Sequence, residues 1–284
     1  MAKVSVLGMG AMGSRMALSL INVNHDVTVW NRSLAKTEAI KQAGARVADT
    51  PRNAVKEAEF VISMVRDNEA SKKVWLSDDG ALAGMNKEAI AIESSTLSVA
   101  WTKELGKELE RQGIAFLDAP VAGTRPQAEA AQLIYFVGGE KIAFEKVRPI
   151  LQTMGSKIHY VGEIGSGMTI KLAVNSLFAI QVSAMGELIN LMGQSGLDGA
   201  EAVEVLTSTP VCSPAAVMAA KAIVARKFAP LFPIELVSKD LEYAIALTDE
   251  TNLPLVTATQ KIYATAVDRG YAEDNITGIA QLYS

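Results

Sequence analysis

The amino-acid sequence predicts an α/β domain with a doubly wound, mostly parallel sheet over residues 1–162, followed by an all-helical domain over residues 163–284. Three observations predict this fold class. The chain of 284 residues is long enough for two domains of ordinary size. Short runs rich in β-branched and aromatic residues alternate with helical patterns as far as residue 161, as in sheets covered by helices on both faces. After Gly162, helical patterns continue but no convincing strand follows.

Eight short apolar runs in the first domain have the length and composition of strands. Their predicted bounds are 3–7, 26–30, 46–48, 60–65, 89–93, 115–117, 133–137 and 157–160. Between two of them, Thr50 followed by Pro51 predicts a helix start, because Thr caps backbone N–H groups and Pro suits the first helical position. Ser98 is predicted to cap another helix that runs to Gln112.

The second domain is predicted to begin with a long interdomain helix from about Met168, where apolar positions recur at helical spacing. Prolines and glycines punctuate the sequence that follows. Further helices are predicted over 199–206, 214–226, 238–251 and 254–269.

The composition excludes several function classes. Apolar residues make up 49% of the chain, enough for a substantial core, and the net charge of −4 without long like-charged runs argues against nucleic-acid and membrane-surface binding. The most apolar stretch, 172–192, contains too many polar residues for a membrane span. A single cysteine excludes an intramolecular disulfide, neither histidine suggests a metal site, and no secretory signal is recognised. We therefore expect a cytoplasmic protein without a metal.

A glycine-rich segment, Gly8, Met9, Gly10, Ala11, Met12 and Gly13, directly follows the first predicted strand and opens a helix. This order is the dinucleotide-binding fingerprint of Rossmann domains. The first glycine permits the turn, the second admits a pyrophosphate, and the third allows close packing of helix and strand. The helix N-terminus adds partial positive charge for the phosphates.

The end of the second strand selects between the two nicotinamide cofactors. An NAD site places a carboxylate there for the ribose 2′-hydroxyl, but this chain has Asn31, Arg32 and Ser33. Arg32 suits a 2′-phosphate and Ser33 can donate a hydrogen bond to it. The sequence therefore predicts NADP, with NADPH preferred over NADH.

Four motifs, in the same order, resemble those of the β-hydroxyacid dehydrogenase family, and the resemblance covers nearly the whole chain. They are the cofactor segment 8–17 (GMGAMGSRMA), the substrate loop 118–123 (DAPVAG), the helix segment 167–175 (GMTIKLAVN) and the late motif 239–241 (KDL). The sequence of the loop, with Gly123, Thr124 and Arg125, is most similar to the glyoxylate and succinic semialdehyde reductase branch.

The resemblance implies that Lys171 is the catalytic acid and base. An ammonium can stabilise the negative charge that develops on a carbonyl oxygen during hydride transfer and can donate the proton. Asn175 lies four residues later, on the same helix face, and is expected to orient the lysine or the substrate.

The resemblance also implies further contacts. Cofactor contacts are expected at the end of the fourth and fifth strands and in the late motif: Met64, Val65, Thr96 and Lys239. Substrate contacts are expected from the loop and from both helical motifs: Ala122, Gly123, Thr124, Lys171, Asn175 and Asp240. This chain has Ala122 where the family usually has Ser, and Thr124 where it usually has a second Gly.

The expected function is NADPH-dependent reduction of a small carboxylated aldehyde, of the glyoxylate or succinic semialdehyde type, to the hydroxyacid. Three alternatives remain open. The first is a 3-hydroxyisobutyrate-type dehydrogenase and the second is an imine reductase-like enzyme, against which Lys171 argues. The third is a non-catalytic nucleotide-sensing protein, against which intact Lys171 and Asn175 argue. The apolar helical domain predicts a homodimer or homotetramer.

Overall fold

A computed structural model describes residues 1–283 of the chain, apart from the side chain of residue 250. The chain forms two compact units, Met1–Lys171 and the segment from Leu172 onward. The change from one unit to the other falls inside one long helix, nine residues beyond the domain boundary that the sequence predicts at residue 162.

The first unit is built on a nine-stranded sheet. Its strands are β1 (Lys3–Leu7), β2 (Asp26–Trp30), β3 (Arg46–Val47), β4 (Phe60–Ser63), β5 (Ile90–Glu93), β6 (Ala115–Asp118), β7 (Val121–Ala122), β8 (Leu133–Gly139) and β9 (Gly155–Gly162). The strand order is β3-β2-β1-β4-β5-β6-β8-β7, and β9 pairs with β8. Only the pairs of β8 with β6 and β7 are antiparallel among the described pairs, so the predicted mostly parallel sheet is confirmed.

The central strands are buried on both faces, since every residue of β5 is buried and β1 is buried from Val4 onward. Helices cover the sheet, as expected for a parallel arrangement. The strand order reverses at β1, which has β2 on one side and β4 on the other. Ligands of open α/β sheets bind beside such a reversal, at the carboxyl ends of the strands.

The helices of the first unit are α1 (Gly13–Asn22), α2 (Glu38–Gln42), α3 (Pro51–Ala54), α4 (Asn68–Leu76), α5 (Val99–Arg111), α6 (Arg125–Glu129) and α7 (Lys141–Gln152), with short 3₁₀ turns at Leu34–Thr37 and Ala81–Gly84. Both predicted caps are confirmed. The Asn53 N–H donates to Thr50 Oγ1 at 3.1 Å, and the Trp101 N–H donates to Ser98 Oγ at 3.2 Å.

The second unit is helical, and the part that the structure describes, 172–283, contains no strand, as predicted. It follows the long helix α8 (Ser166–Gln194) and contains α9 (Gly199–Thr207), α10 (Pro214–Val224), α11 (Ile234–Ile245) and α12 (Pro254–Ala266). Shorter turns lie at Glu250–Asn252, Val267–Tyr271 and Ile276–Leu282.

Three predicted helix boundaries are wrong. The helix predicted over 238–251 spans Ile234–Ile245, so it starts four residues earlier and ends six residues earlier than predicted. It starts at Ile234 because Pro233 has an extended conformation with a ψ of 142°. The regular helix predicted to end at 269 ends at Ala266, and the chain continues as one wider π-helical turn over Val267–Tyr271, which contains Gly270 with a φ of +88°.

Helix α8 is long and apolar enough to cross a membrane, with a mean hydropathy of 1.5 over 18 residues. Within its unit, however, Ala179 and Val182 belong to a buried cluster with Ile234, Leu241 and Tyr263. Core helices of globular units have the same length and composition, so this helix is accounted for by its packing. The predicted absence of a membrane partner stays a prediction.

Candidate active site

The glycine turn between β1 and α1 contains two glycines that packing requires and one that it does not. Gly8 has a φ of +105°, and a Cβ there would collide with the carbonyl oxygen of Met64. A Cβ at Gly13 would collide with the carbonyl oxygen of Gly8. Gly10 is exposed, and no heavy atom lies within 4 Å of the position its Cβ would take. The space beside Gly10 is therefore open to a ligand.

The N-terminus of α1 has no counter-charge from its own first turn. No side chain caps it and its first turn has no acidic residue in the described part of the chain. The N–H groups and the dipole of such a helix end attract an anion. Together with the open space at Gly10, this fits the pyrophosphate of a dinucleotide. Ala11 and Met12 lie between Gly10 and the helix, with Ala11 exposed.

Asn31, at the end of β2, connects the glycine turn to the next loop. The Met9 N–H donates to Asn31 Oδ1 at 2.9 Å, and Asn31 Nδ2 donates to the Ser33 carbonyl oxygen at 2.8 Å. Arg32 and Ser33 are exposed at the same edge of the sheet. Of the three residues that the sequence predicts as one cofactor-binding group, the structure thus gives Asn31 a role in shaping the turn and leaves the Arg32 and Ser33 side chains on the surface.

The loops after β4 and β5 are tied to each other and to the glycine turn. The Met64 N–H donates to the Leu7 carbonyl oxygen at 2.9 Å. The Val65 N–H donates to Ser95 Oγ at 2.7 Å, and Thr96 is the half-buried residue that follows. Met64, Val65 and Thr96 therefore lie at the edge that also carries Gly8, as expected for neighbouring parallel strands.

Glu93, which the sequence analysis did not single out, supports these loops from beneath. It is fully buried and accepts hydrogen bonds from the Ser95 N–H, the Ser71 hydroxyl and the Trp75 indole, at 3.0, 2.8 and 2.8 Å. Burial raises the pKa of the carboxyl, and these hydrogen bonds partly oppose the shift. An acidic residue that ends an otherwise apolar strand was the available signal.

The predicted substrate loop contains a helix cap. Gly123 has a φ of +118°, and Ala122 lies half-buried in β7, paired with Ile134. The N–H and the hydroxyl of Thr124 both donate to Gln127 Oε1 at 2.9 Å. The hydroxyl of Thr124, one of the predicted substrate contacts, is thus engaged within the protein, and its donation to a substrate would replace the hydrogen bond to Gln127. This capping box was not predicted from the sequence.

Asp118 ends β6 and holds the N-terminus of α8. Its Oδ1 accepts from the Gly165 N–H and its Oδ2 from the Met168 N–H, both at 2.8 Å. The side chain is fully buried, and burial raises its pKa to about 6 although the N–H donors act in the opposite direction. Asp118 was predicted only as part of the loop motif 118–123.

Lys171 follows in the second turn of α8, still in the first unit, and is only 9% exposed. A lysine is rarely so buried unless its ammonium has a function or a partner. It has polar interactions, so it is not an isolated buried charge.

The second unit brings together the other three predicted residues. Asn175 Nδ2 donates to Asp240 Oδ2 at 2.6 Å, and Lys239 Nζ lies 2.9 Å from Asp240 Oδ1. Asn175 and Asp240 are buried, whereas the Lys239 ammonium also lies 4.7 Å from the centre of the Tyr243 ring. Both oxygens of the Asp240 carboxylate are therefore engaged, so Asp240 orients Asn175 and Lys239. Tyr243 was not predicted.

The described residues contain no group of three or more His, Cys, Asp or Glu side chains that could hold a metal ion.

Comparison with known families matches both units. Residues 3–162 match a family model described as the NAD binding domain of 6-phosphogluconate dehydrogenase. Residues 165–283 match a model described as NAD-binding of NADP-dependent 3-hydroxyisobutyrate dehydrogenase. Together the two matches cover nearly the whole described chain.

Individual relatives are similar over the same length. The chain is 30% identical to glyoxylate/succinic semialdehyde reductase 2 of Arabidopsis thaliana, over 98% of this chain and 78% of the relative. It is 31% identical to the mitochondrial 3-hydroxyisobutyrate dehydrogenase of Drosophila melanogaster, over 98% and 88%. Among solved structures, the 3-hydroxyisobutyrate dehydrogenase of Mycobacterium tuberculosis with L-serine has a TM-score of 0.90 at 28% identity, covering 99% of both chains.

Proposed function

The chain belongs to the β-hydroxyacid dehydrogenase family of NAD(P)-dependent oxidoreductases, and from this premise we propose that it is an NADPH-dependent reductase of small aldehyde acids. The proposed substrates are of the glyoxylate or succinic semialdehyde type, and the products are the hydroxyacids. The observation that carries the proposal is Lys171, a buried lysine on the helix that begins beside the carboxyl end of β6. It provides a proton donor in a chain that also has an open dinucleotide turn.

The preference for NADPH rests on the end of β2. Arg32, Ser33 and Lys36 are exposed there, and residues 31–33 include no carboxylate that could bind a ribose 2′-hydroxyl or repel a 2′-phosphate. A guanidinium pairs well with a phosphate in two parallel hydrogen bonds. The glycine turn binds the pyrophosphate that both cofactors share, so discrimination falls to Arg32.

NADPH, held by the glycine turn and Arg32, would supply the hydride for reduction of the aldehyde carbon. The oxygen of the aldehyde then gains negative charge, which the Lys171 ammonium stabilises before it transfers a proton to that oxygen. Asn175, fixed by Asp240, orients the reacting groups and transfers no proton. The product is the alcohol, and Lys171 regains its proton from solvent.

The test replaces Lys171 by Ala and Arg and Asn175 by Ala, and measures steady-state reduction of glyoxylate and succinic semialdehyde. We expect Lys171→Ala to lower kcat by roughly 10²–10⁴-fold, the usual range for a positioned acid. Lys171→Arg should not restore it, since a guanidinium is a very poor acid. Asn175→Ala should have a smaller effect. A Lys171→Ala enzyme with near-normal kcat and unchanged NADPH affinity would refute the assignment.

Cofactor and substrate are tested in the same assay. Arg32→Asp should reverse the preference from NADPH to NADH, because a carboxylate repels the 2′-phosphate. Equal efficiency of the unaltered enzyme with both cofactors would contradict the proposed role of Arg32.

Methyl esters of the two aldehyde acids should react poorly, because they lack the carboxylate that the enzyme is proposed to bind. Equal turnover of esters and acids would contradict a carboxylate-binding site. Ala122→Ser should tighten binding of the aldehyde acids, because the serine hydroxyl would supply a hydrogen bond to the substrate that alanine lacks.

The second candidate, a 3-hydroxyisobutyrate-type dehydrogenase, is favoured by the likeness to the Drosophila and Mycobacterium proteins. It is distinguished by offering 3-hydroxyisobutyrate with NADP⁺ and NAD⁺ and comparing kcat/KM with that for the aldehyde acids. Higher efficiency on the hydroxyacid would replace the first candidate with the second.

A homodimer is proposed from one face of α8. Val174, Leu177, Leu188 and Leu191 are exposed, and their spacing places them along one side of the helix. An exposed apolar row of this length is typical of a surface that a second copy covers. Sedimentation equilibrium should give a multiple of 30.2 kDa, and Leu177→Glu together with Leu191→Glu should shift it to the monomer mass. A monomer before substitution would contradict the proposal.

A further inference from the structure

Asp118 is a buried acid to which the reaction as proposed assigns no role. We propose that Asp118 is the positioning residue for Lys171, because its carboxylate fixes the first turn of α8 to the carboxyl end of β6. This inference rests on the proposed function, in which Lys171 is the proton donor. It assigns Asp118 no contact with substrate or cofactor.

Helix α8 has no side chain of its own at the N-cap position to cap its first turn. The Gly165 carbonyl oxygen accepts the first helical hydrogen bond, from the Thr169 N–H at 2.9 Å, so Gly165 occupies the N-cap position. Helices usually carry Ser, Thr, Asp or Asn there, whose side chain accepts from an N–H of the first turn. Glycine has no such side chain, and Asp118, which lies 47 residues earlier, takes its place.

Two glycines leave a closely fitting space for the Asp118 carboxylate. A Cβ at Gly138 would lie 2.5 Å from Asp118 Oδ1, and a Cβ at Gly167 would lie 2.9 Å from Asp118 Oδ2. Gly138 is the register partner of Asp118 in the sheet, and Gly167 is in the first turn of α8. Both glycines let the strand and the helix approach closely around the two oxygens, so small movements of the helix would break the two hydrogen bonds.

Lys171 lies close to the two hydrogen bonds that anchor the start of α8 to Asp118. Lys171 lies three residues after Met168, whose N–H is bound to Asp118, so about 4.5 Å of helix rise separates them. A local cap would stabilise the helix end equally well without fixing it to the sheet. A buried carboxylate is the costlier solution, since its charge loses contact with water. What it adds is a fixed position of the first turns of α8 on the sheet, and hence of Lys171.

The test compares Asp118→Asn with a matched control, Asp198→Asn. Asp198 also uses a carboxylate oxygen to accept two backbone N–H groups, from Ala200 and Glu201 at 2.9 and 3.0 Å, but at the start of α9. We expect Asp118→Asn to lower kcat roughly 10–100-fold, as for a misplaced reacting group. NADPH affinity should stay within about twofold, and the deuterium isotope effect with 4-deuterated NADPH should rise because the chemical step slows. Asp198→Asn should leave kcat and the isotope effect unchanged.

A second arm separates this inference from the proposed function. If Asp118 acts through Lys171, Asp118→Asn should lower kcat by less than about twofold in a Lys171→Ala background. An undiminished loss in that background would overturn the inference, as would normal kcat and isotope effect in the single variant. Near-normal kcat in Lys171→Ala alone would instead overturn the proposed acid.

If Asp118→Asn does not fold, the unaltered protein still tests the anchor by NMR. The amide proton shifts of Gly165 and Met168 should change together with one midpoint as the pH is varied, because both N–H groups bind one carboxylate. Two amide protons that do not follow a common titration would overturn the inference.

Discussion

Helix α1 begins without a side-chain cap and without an acidic residue in its first turn, whereas the first turn of α8 donates to the buried carboxylate of Asp118. Both helices begin in the first unit, after glycine-containing turns. The residue types at the two starts are similar, since Gly10 and Gly13 precede or open α1 and Gly165 and Gly167 do the same for α8.

The difference lies in what fills the space that the glycines create. Around Gly10 the space is open, so the partial positive charge at the start of α1 remains accessible to an anion that binds reversibly. Around Gly167 the space is occupied by the Phe136 carbonyl oxygen and by Asp118, whose carboxylate neutralises the positive end of α8 when it is ionised. A glycine-rich helix start therefore indicates a ligand site only when no protein carboxylate already occupies it.

The largest effect on stability is expected from adding a methyl group at Gly13, inside the packed start of α1. In Gly13→Ala the new methyl group would collide with the Gly8 carbonyl oxygen, which is backbone and cannot rotate away. We expect the free energy of unfolding to fall by about 3 kcal/mol, the upper end of the usual range for overpacking, measured by urea denaturation. Gly193→Ala is the control, because its Cβ meets nothing within 4 Å and alanine favours the helix. Equal stability of the two variants would contradict this account of Gly13.

The next largest effect concerns the charge of Asp118, which accepts hydrogen bonds at the start of α8. The pKa of Asp118 in the folded protein is about 6, above its ordinary value of 3.8, so the folded state binds the proton more tightly than the unfolded state. The contribution of Asp118 to the free energy of unfolding is therefore fully present below about pH 4 and decreases as the pH rises through 6, by about 3 kcal/mol in all.

Urea denaturation from pH 4 to pH 7.5 checks this sign when the protein is compared with Asp118→Asn. The stability of the unaltered protein relative to the variant should decrease with rising pH across that interval. The pKa of Glu93 is raised as well, but Glu93 is present in both proteins and cancels in the difference. Parallel stability curves would show that Asp118 does not titrate in this way.

The opposite test fills the open start of α1. In Gly10→Ala the added methyl group meets no protein atom within 4 Å, so stability should change by less than about 1 kcal/mol. Affinity for NADPH should fall roughly 10–100-fold, because the methyl group takes the space that the pyrophosphate needs. Fluorescence titration of NADPH measures the affinity, with Gly193→Ala as control. Unchanged affinity in Gly10→Ala would place the phosphates elsewhere.

These two helix starts also show how far the sequence could be interpreted. The strand, glycine turn and helix at the start of α1 could be predicted because their signal is local: they follow one another within 20 residues, and the strand order then places the turn at the edge of the sheet. The closure of α8 could not be predicted, since Asp118 is 47 and 50 residues from the groups it binds.

Other misses have similar causes. Strand β7 is only two residues long and lies between Pro120 and Gly123, so it gives no periodic signal. The start of α11 was placed too late because Lys239 and Asp240 look like a charged first turn; in the structure Asp240 is buried and binds Asn175. The engagement of Thr124 by Gln127 depends on a side-chain geometry that spacing permits but does not require.

The smallest effect is expected from loosening the α1 turn without filling it. Asn31 Oδ1 accepts from the Met9 N–H, and Asn31 Nδ2 donates to the Ser33 carbonyl oxygen, so this one amide holds the glycine turn against the loop that carries Arg32. In Asn31→Ala both hydrogen bonds are lost from a half-exposed site, where each contributes about 1 kcal/mol or less. We expect a three- to tenfold weaker affinity for NADPH, roughly 1 kcal/mol, because the turn and the Arg32 loop must be ordered again when the cofactor binds. Asn31→Asp should restore the bond to the Met9 N–H but place a negative charge beside the 2′-phosphate, and so should shift the cofactor preference toward NADH. Isothermal titration of both variants with NADPH and NADH distinguishes the two contributions. If Asn31→Ala bound both cofactors as tightly as the unaltered protein, the glycine turn would hold its shape without Asn31, and the open start of α1 would depend on its glycines alone.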